Sequence, residues 1–263
     1  MKLVYRRVES SDISQILDLY EMNLPHGKMT FEKYDFWYKE QGENGYASRI
    51  LVANEEIIAH NAFINMEYSI NGEPKSVKLS SGGMAKVSHS GAFYKLMKEG
   101  IKEFKESTII AFPNKNSEPF FTKIFKFNYV ENNFFTLEKD QFVNFSITKP
   151  IKQTLKREDS FFKRRIENHK SNEYSKLVIG DNTLYYKAFG NNEVDIIYVN
   201  NFDEIFPLFL QKLFDLGFQK MNIIHWDKNF IEQFGFVNTP NNLFVYNNME
   251  EVFECQMIDS DIF

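Results

Sequence analysis

The chain is poor in the residues that most often announce a function. Only one of its 263 residues is cysteine, Cys255. A single thiol makes neither a disulfide framework nor a cysteine-based zinc site within one chain. The histidines, His26, His60, His89, His169 and His225, stand singly, with no pair at helical ligand spacing, so no metal is expected. No stretch approaches the ~20 consecutive apolar residues of a membrane span, and residues 1–7 lack the apolar centre of a signal peptide. The expectation is a cytoplasmic protein with no membrane partner. Positive charge is not in excess either. The net charge is −5, with Lys and Arg spread along the chain. Nucleic acid is therefore not expected as a partner, because phosphate binding needs a concentrated basic face.

What the chain has is aromatic bulk. Its 28 Phe and 13 Tyr supply large cores, since each ring buries roughly 150–250 Å². The length permits one large domain or two of about 130 residues.

The most informative stretch runs from residue 77 to 127. Val77-Lys-Leu-Ser-Ser-Gly-Gly-Met-Ala-Lys-Val87 reads as a strand with a glycine pair inside it, a mark of a bulge or of close backbone approach. The loop Ser88-His-Ser-Gly91 leads into a helix over residues 92–104, where Phe93, Leu96, Met97, Ile101 and Phe104 recur at helical spacing. Residues 107–112 form a short strand closed by Pro113-Asn114. Residues 116–127 predict a second helix, with Asn116 or Ser117 as its N-cap. A strand that feeds a helix through small residues can hold an anion, because the first helical amides lack partners and the dipole favours negative charge.

Upstream, residues 3–8 alternate as a strand. Glu9-Ser-Ser-Asp12 caps a helix with Ile13, Ile16, Leu17 and Tyr20 on its apolar face. Pro25-His-Gly27 is a loop, and residues 30–38 form an aromatic helix. Strands over 50–53 and 57–70 follow, and Asn71-Gly72 is a hairpin signal. The order is β-α-α-β-β-β-α-β-α.

That order, with Ala111-Phe-Pro-Asn-Lys-Asn-Ser-Glu-Pro-Phe-Phe-Thr-Lys-Ile-Phe-Lys-Phe127 and Gly91-Ala-Phe-Tyr-Lys-Leu-Met97, resembles one branch of the GNAT superfamily of acyl-CoA N-acyltransferases. The resemblance covers roughly residues 1–140, and only these two motifs are specific. It implies an α/β fold with a mixed sheet, and acetyl-CoA or another acyl-CoA as co-substrate. The backbone of Met84, Ala85 and Lys86 would hold the pantetheine arm, with Met84 nearest the thioester carbonyl. The amides and side chains of His89, Ser90, Gly91, Ala92 and Phe93 would receive the pyrophosphate. Asn114 and Ser117 keep the family's spacing on the pantetheine and adenine side, where helix capping would select the same residue types. Two departures stand out. The loop Val87-Ser-His-Ser-Gly91 is two or three residues shorter than the family pattern and has no arginine. Phe121 stands where many members carry a tyrosine that protonates the thiolate. No general base is assigned; His60, Glu67 and His89 are the nearest candidates. In the same frame Phe31, Tyr34, Trp37 and Tyr38 either wall the acceptor site or simply pack, and packing is preferred.

Residues 127–147 read as closing strands, and a boundary is placed near 147. Residues 160–174 resemble a segment of two-domain members of the same branch. The second half repeats the pattern: strands over 177–179, 184–189 and 194–199, a helix over 203–217, a strand over 221–226, a short helix over 230–234, then another strand. It has no glycine-rich loop. The expected organisation is therefore tandem GNAT-like lobes, 1–147 with the candidate CoA site and 148–263 without one. The implied activity is transfer of an acyl group to the amine of a small acceptor, possible acceptors being an amino sugar or a nucleotide-linked amino sugar. The alternatives are a catalytically degenerate binding or scaffold protein, and an aminoacyl transferase of the Fem type.

Overall fold

The structure is a computed structural model that describes residues 2–24, 29–39, 45–70, 73–114, 116–130, 134–144, 147, 162, 166, 174–190, 192–225, 227–239, 244–246 and 253–254. The loop at 25–27, the Asn71-Gly72 turn, Cys255 and most of the 160–174 segment lie outside these residues.

In chain order the first elements are β1 (Leu3–Arg7), α1 (Ile13–Asn23), α2 (Phe31–Tyr38), β2 (Ser48–Ala53), β3 (Glu56–Ile70), β4 (Glu73–Ala85), α3 (Ala92–Glu103), β5 (Ile109–Ala111) and β6 (Asn128–Val130). There follow β7 (Phe134–Glu138), β8 (Tyr174–Ile179), β9 (Asn182–Phe189), β10 (Glu193–Val199), α4 (Phe206–Asp215), β11 (Lys220–Ile224), α5 (Lys228–Glu232), β12 (Val237–Asn238), β13 (Phe244–Tyr246) and β14 (Phe253–Glu254). These elements make a mixed α/β fold with two sheets. The first has the order β1-β2-β3-β4-β5-β13-β6, with β14 also paired to β3; the second has the order β12-β7-β11-β10-β9-β8.

The two sheets share a plan. Each contains one parallel pair, β4 with β5 and β10 with β11, and each pair is joined through a helix, as a parallel connection requires. Each also receives an antiparallel strand from a distant part of the chain. β13 inserts between β5 and β6, and β7 inserts between β11 and β12. Compactness accordingly gives two interleaved units: residues 1–67, 76–130 and 243–250, and residues 68–75, 131–242 and 251–263. A division at residue 147 follows chain order, whereas the strand after β6 and the strand after β12 each complete the sheet of the other unit.

The helical periodicities place the cores. In α3, Ala92, Leu96, Met97 and Gly100 are buried and pack with Ile58, Phe63, Ile109 and Phe121. In α4, Phe206, Phe209, Leu210 and Leu213 are buried, the i, i+3, i+4, i+7 stripe of an amphipathic helix; they pack on Phe135, Val194, Ile196 and Met221. In α1 the buried set is Ile13, Ile16, Leu19 and Tyr20, so Leu19 takes the core place that Leu17 was expected to hold.

Candidate functional site

The site begins with a change of register in β4. The Lys78 amide donates to the Thr108 carbonyl at 2.8 Å, so Lys78 and, two residues on, Ser80 present their backbone groups to β5. The Lys86 amide donates to Ile58 at 2.9 Å, on the β3 side. Strict alternation would give residues 78 and 86 the same edge, so one residue between them must break it. Gly82 does so, with φ of +63°, the left-handed conformation of a bulge.

Two consequences follow. Beyond the bulge, Gly83 and Ala85 present N–H and C=O groups to the β5 side, and Met84 presents its own to β3. β5 pairs with β4 only from Lys78 to Ser80, whereas β4 runs on to Ala85. The notch-facing backbone is thus that of Gly83 and Ala85, on either side of the Met84 that was expected nearest the carbonyl. Gly83 itself escaped sequence reading, although the glycine pair marked the place.

After β4 the chain turns twice. The His89 amide donates to Lys86 O and the Ala92 amide to His89 O, each at 3.0 Å. Gly91, with φ of +80°, caps α3, and a β-carbon there would meet nothing within 4 Å. Among the described residues, the Phe93 and Tyr94 amides donate to no backbone carbonyl, as befits a first helical turn. The Ala92 amide, expected to face an anion, is already engaged. Around the loop, Ser88 Oγ lies 3.1 Å from His89 Nδ1. Lys86 pairs with Glu56, whose carboxyl its hydrogen bond holds below the usual range. Ser90 is exposed.

Across the notch, Asn114 Oδ1 accepts from the amides of Asn116 and Ser117, both at 3.0 Å, and from Ser117 Oγ at 3.1 Å. Asn114 thereby caps the turn that starts at its own carbonyl, and Ser117 braces it. The next turn, Phe120–Ile124, is π-helical where an α-helix was expected. Phe121 is buried and packs edge-on against Phe127. Phe93 meets Phe120 edge-on, and Tyr94 stacks on Phe125.

The opposite face of β4 holds a group of buried aromatic residues. Tyr20 and Tyr38 hydroxyls meet at 2.8 Å, and a β-carbon on Gly82 would lie against both. Of the aromatic residues of α2, Tyr34, Trp37 and Tyr38 are buried and Phe31 is half exposed. His60 is fully buried, 2.8 Å from Gly82 O through Nδ1 and 3.0 Å from the Tyr34 hydroxyl through Nε2. Burial lowers the His60 pKa to about 4, raises Tyr38 to about 12 and pushes Tyr20 and Tyr34 far upward. At neutral pH these groups carry no charge. Among the described residues no group of three or more metal-ligating side chains gathers, and no helix is long and apolar enough to cross a membrane.

No protein-family model matches the chain, and no curated protein matches it in sequence. Solved structures match it in shape. A GCN5-related N-acetyltransferase from Kribbella flavida gives a TM-score of 0.69 over 93% of this chain and 71% of its own, at 8% identity. One from Anabaena variabilis ATCC 29413 gives 0.67 over 93% and 72%, at 10% identity. Eis1 from Mycobacterium abscessus gives 0.58 over 84% and 65%, at 9% identity. At such identities the likeness defines the fold, and that fold is a tandem GNAT-like one.

Proposed function

We propose that the protein is an N-acyltransferase that moves an acyl group, acetyl in the first instance, from acyl-CoA to the amine of a small acceptor such as an amino sugar or a nucleotide-linked amino sugar. The observation that carries this reading is the open edge of β4 beyond Ser80, which lies next to the free first turn of a 12-residue helix.

Acyl-CoA is a substrate here, and the residues present fit it. The Gly83 and Ala85 edge offers strand-like hydrogen bonds to an extended, amide-bearing arm. The Phe93 and Tyr94 amides and the helix dipole favour phosphate, and the space left by the absent Gly91 side chain admits close approach. Attack by an acceptor amine on a thioester needs no covalent help from the enzyme. The protein contributes positioning and a hydrogen bond to the charge that develops on the acyl oxygen. In this reading the protein works in the cytoplasm, without metal, nucleic acid or membrane.

Isothermal titration with acetyl-CoA and CoA tests the reading. Binding at micromolar to low millimolar ligand is expected, and no binding at millimolar ligand would reject it. A specific observation favours a second reading. Buried Tyr20, Tyr34 and Tyr38 occupy the α1–α2 side of the bulge, and Phe121 stands in the tyrosine position, as in a protein that has kept the fold and lost the reaction. A CoA-binding protein with no turnover on an amine panel would match it, and a shift of aminoacyl-tRNA in a gel would point to the Fem-type alternative.

Replacing Gly91 with valine separates ligand from scaffold. The left-handed conformation makes any β-carbon there cost about 1–2 kcal/mol of stability. If the loop cradles phosphate, CoA affinity falls by roughly thirtyfold as charge-assisted hydrogen bonds are lost. Unchanged affinity in the folded variant would remove the loop from the site.

A further inference from the structure

We infer that His60 is a positioning residue: by holding the Gly82 carbonyl it aims the Gly83 amide into the notch beside β4, where the acyl oxygen of the substrate is received. The inference rests on the acyltransferase reading and adds to it a side chain on β3 that does not touch the ligand.

The Gly82 carbonyl and the Gly83 N–H belong to one planar, trans unit, so fixing the oxygen fixes the direction of the N–H on the opposite side. At the bulge Gly82, with φ of +63°, leaves the alternation that places each residue on one edge, so its peptide group takes a direction of its own. His60 Nδ1 lies 2.8 Å from this oxygen. A carbonyl can only accept, so Nδ1 carries the proton. Nε2 is then an acceptor, and the Tyr34 hydroxyl at 3.0 Å is its donor. That second bond holds the ring in its less common tautomer and in one orientation. His60 and Tyr34 are both fully buried, and around them Tyr20 and Tyr38 hold each other. The ring has no room to swing and no water competes for its donor. The face it occupies, shared with Gly82 and Tyr38, is opposite to the face where Gly83 approaches Phe93. His60 therefore acts through the backbone rather than on the ligand.

The test uses two substitutions and two ligands. His60→Leu keeps bulk and removes the donor; His60→Asn keeps a donor close to the position of Nδ1. The Gly83 amide would touch the acyl carbonyl, which CoA lacks. In His60→Leu, turnover is expected to fall by ~100-fold or more and the advantage of acetyl-CoA over CoA to shrink, while affinity for CoA itself stays within about threefold. His60→Asn should recover at least about ten of that ~100-fold. Equal losses for both ligands, or no recovery with asparagine, would make His60 a packing residue and overturn the inference. Wild-type protein that binds no CoA rejects the acyltransferase reading instead, and with it the role assigned to the Gly83 amide. Nitrogen-15 NMR of the wild-type imidazole tests the local geometry without any ligand and without relying on a variant that folds. A proton on Nδ1 at neutral pH is expected, and a proton on Nε2 would overturn the inference.

Discussion

Gly82→Ala is expected to destabilise the protein by about 3 kcal/mol, measured by urea unfolding. Two causes add. An L-residue in the left-handed region costs about 1–2 kcal/mol, and at φ of +63° alanine would bear that cost in full. The new methyl would also press on the Tyr20 and Tyr38 hydroxyls, the latter at 2.6 Å. Both are buried and hydrogen-bonded to each other, so neither can step aside without breaking that bond, and overpacking of this kind costs typically about 1–3 kcal/mol. Gly91→Ala is the matched control, because its φ is also left-handed while its β-carbon would enter open space. It should lose only the first part. Equal losses at the two positions would mean that the tyrosines do not brace the bulge.

Stability should also fall steeply in mild acid. His60 and His225 are fully buried, and burial brings each pKa from 6.5 down to about 4. In the unfolded chain both take up protons as pH drops through 6.5; in the folded protein they remain neutral until about 4. Between those values the unfolded state holds more protons, so stability rises with pH and is lost as pH falls. The loss should be on the order of 2 kcal/mol for each histidine by pH 5. Glu56 and Glu193 are held below the usual carboxylate range by hydrogen bonds from Lys86 and Lys220 and, with solvent reaching both, add little between pH 7 and 5. Urea unfolding at pH 7, 6 and 5 measures the slope. A flat profile over that range would contradict the burial of both rings.

Much of this was legible in the residues. The apolar spacing of α3 and α4, the helix between two strands in each half, and the glycine pair in β4 are local signals, and the elements appear where those signals lie. The departures have a physical pattern. A strand's period of two says that residues 134–138 and 244–246 are extended, and it does not name their partners; pairing between strands about 80 residues apart or more is set by tertiary fit. Met84 and Gly83 differ by one residue, and in a strand one residue reverses the edge that a backbone group faces. The glycine pair marks a bulge, and the φ of Gly82 with the hydrogen bonds of Lys78 and Lys86 sets which of the two faces the notch. Asn114 and Ser117 fit two roles equally well in sequence, and their mutual hydrogen bonds give the capping one. His60 carries no motif. A single histidine in an apolar strand looks structural, and its two partners, Tyr34 and Gly82, lie 26 and 22 residues away.

The central claim is that the open edge of β4 and the first turn of α3 together receive acyl-CoA. Backbone NMR during titration with acetyl-CoA tests it most directly. The account predicts saturable shifts centred on the amides of Gly83, Ala85, Phe93 and Tyr94, with Gly83 responding more to acetyl-CoA than to CoA. Saturable shifts confined to other parts of the chain, or no shifts at millimolar ligand, would contradict it.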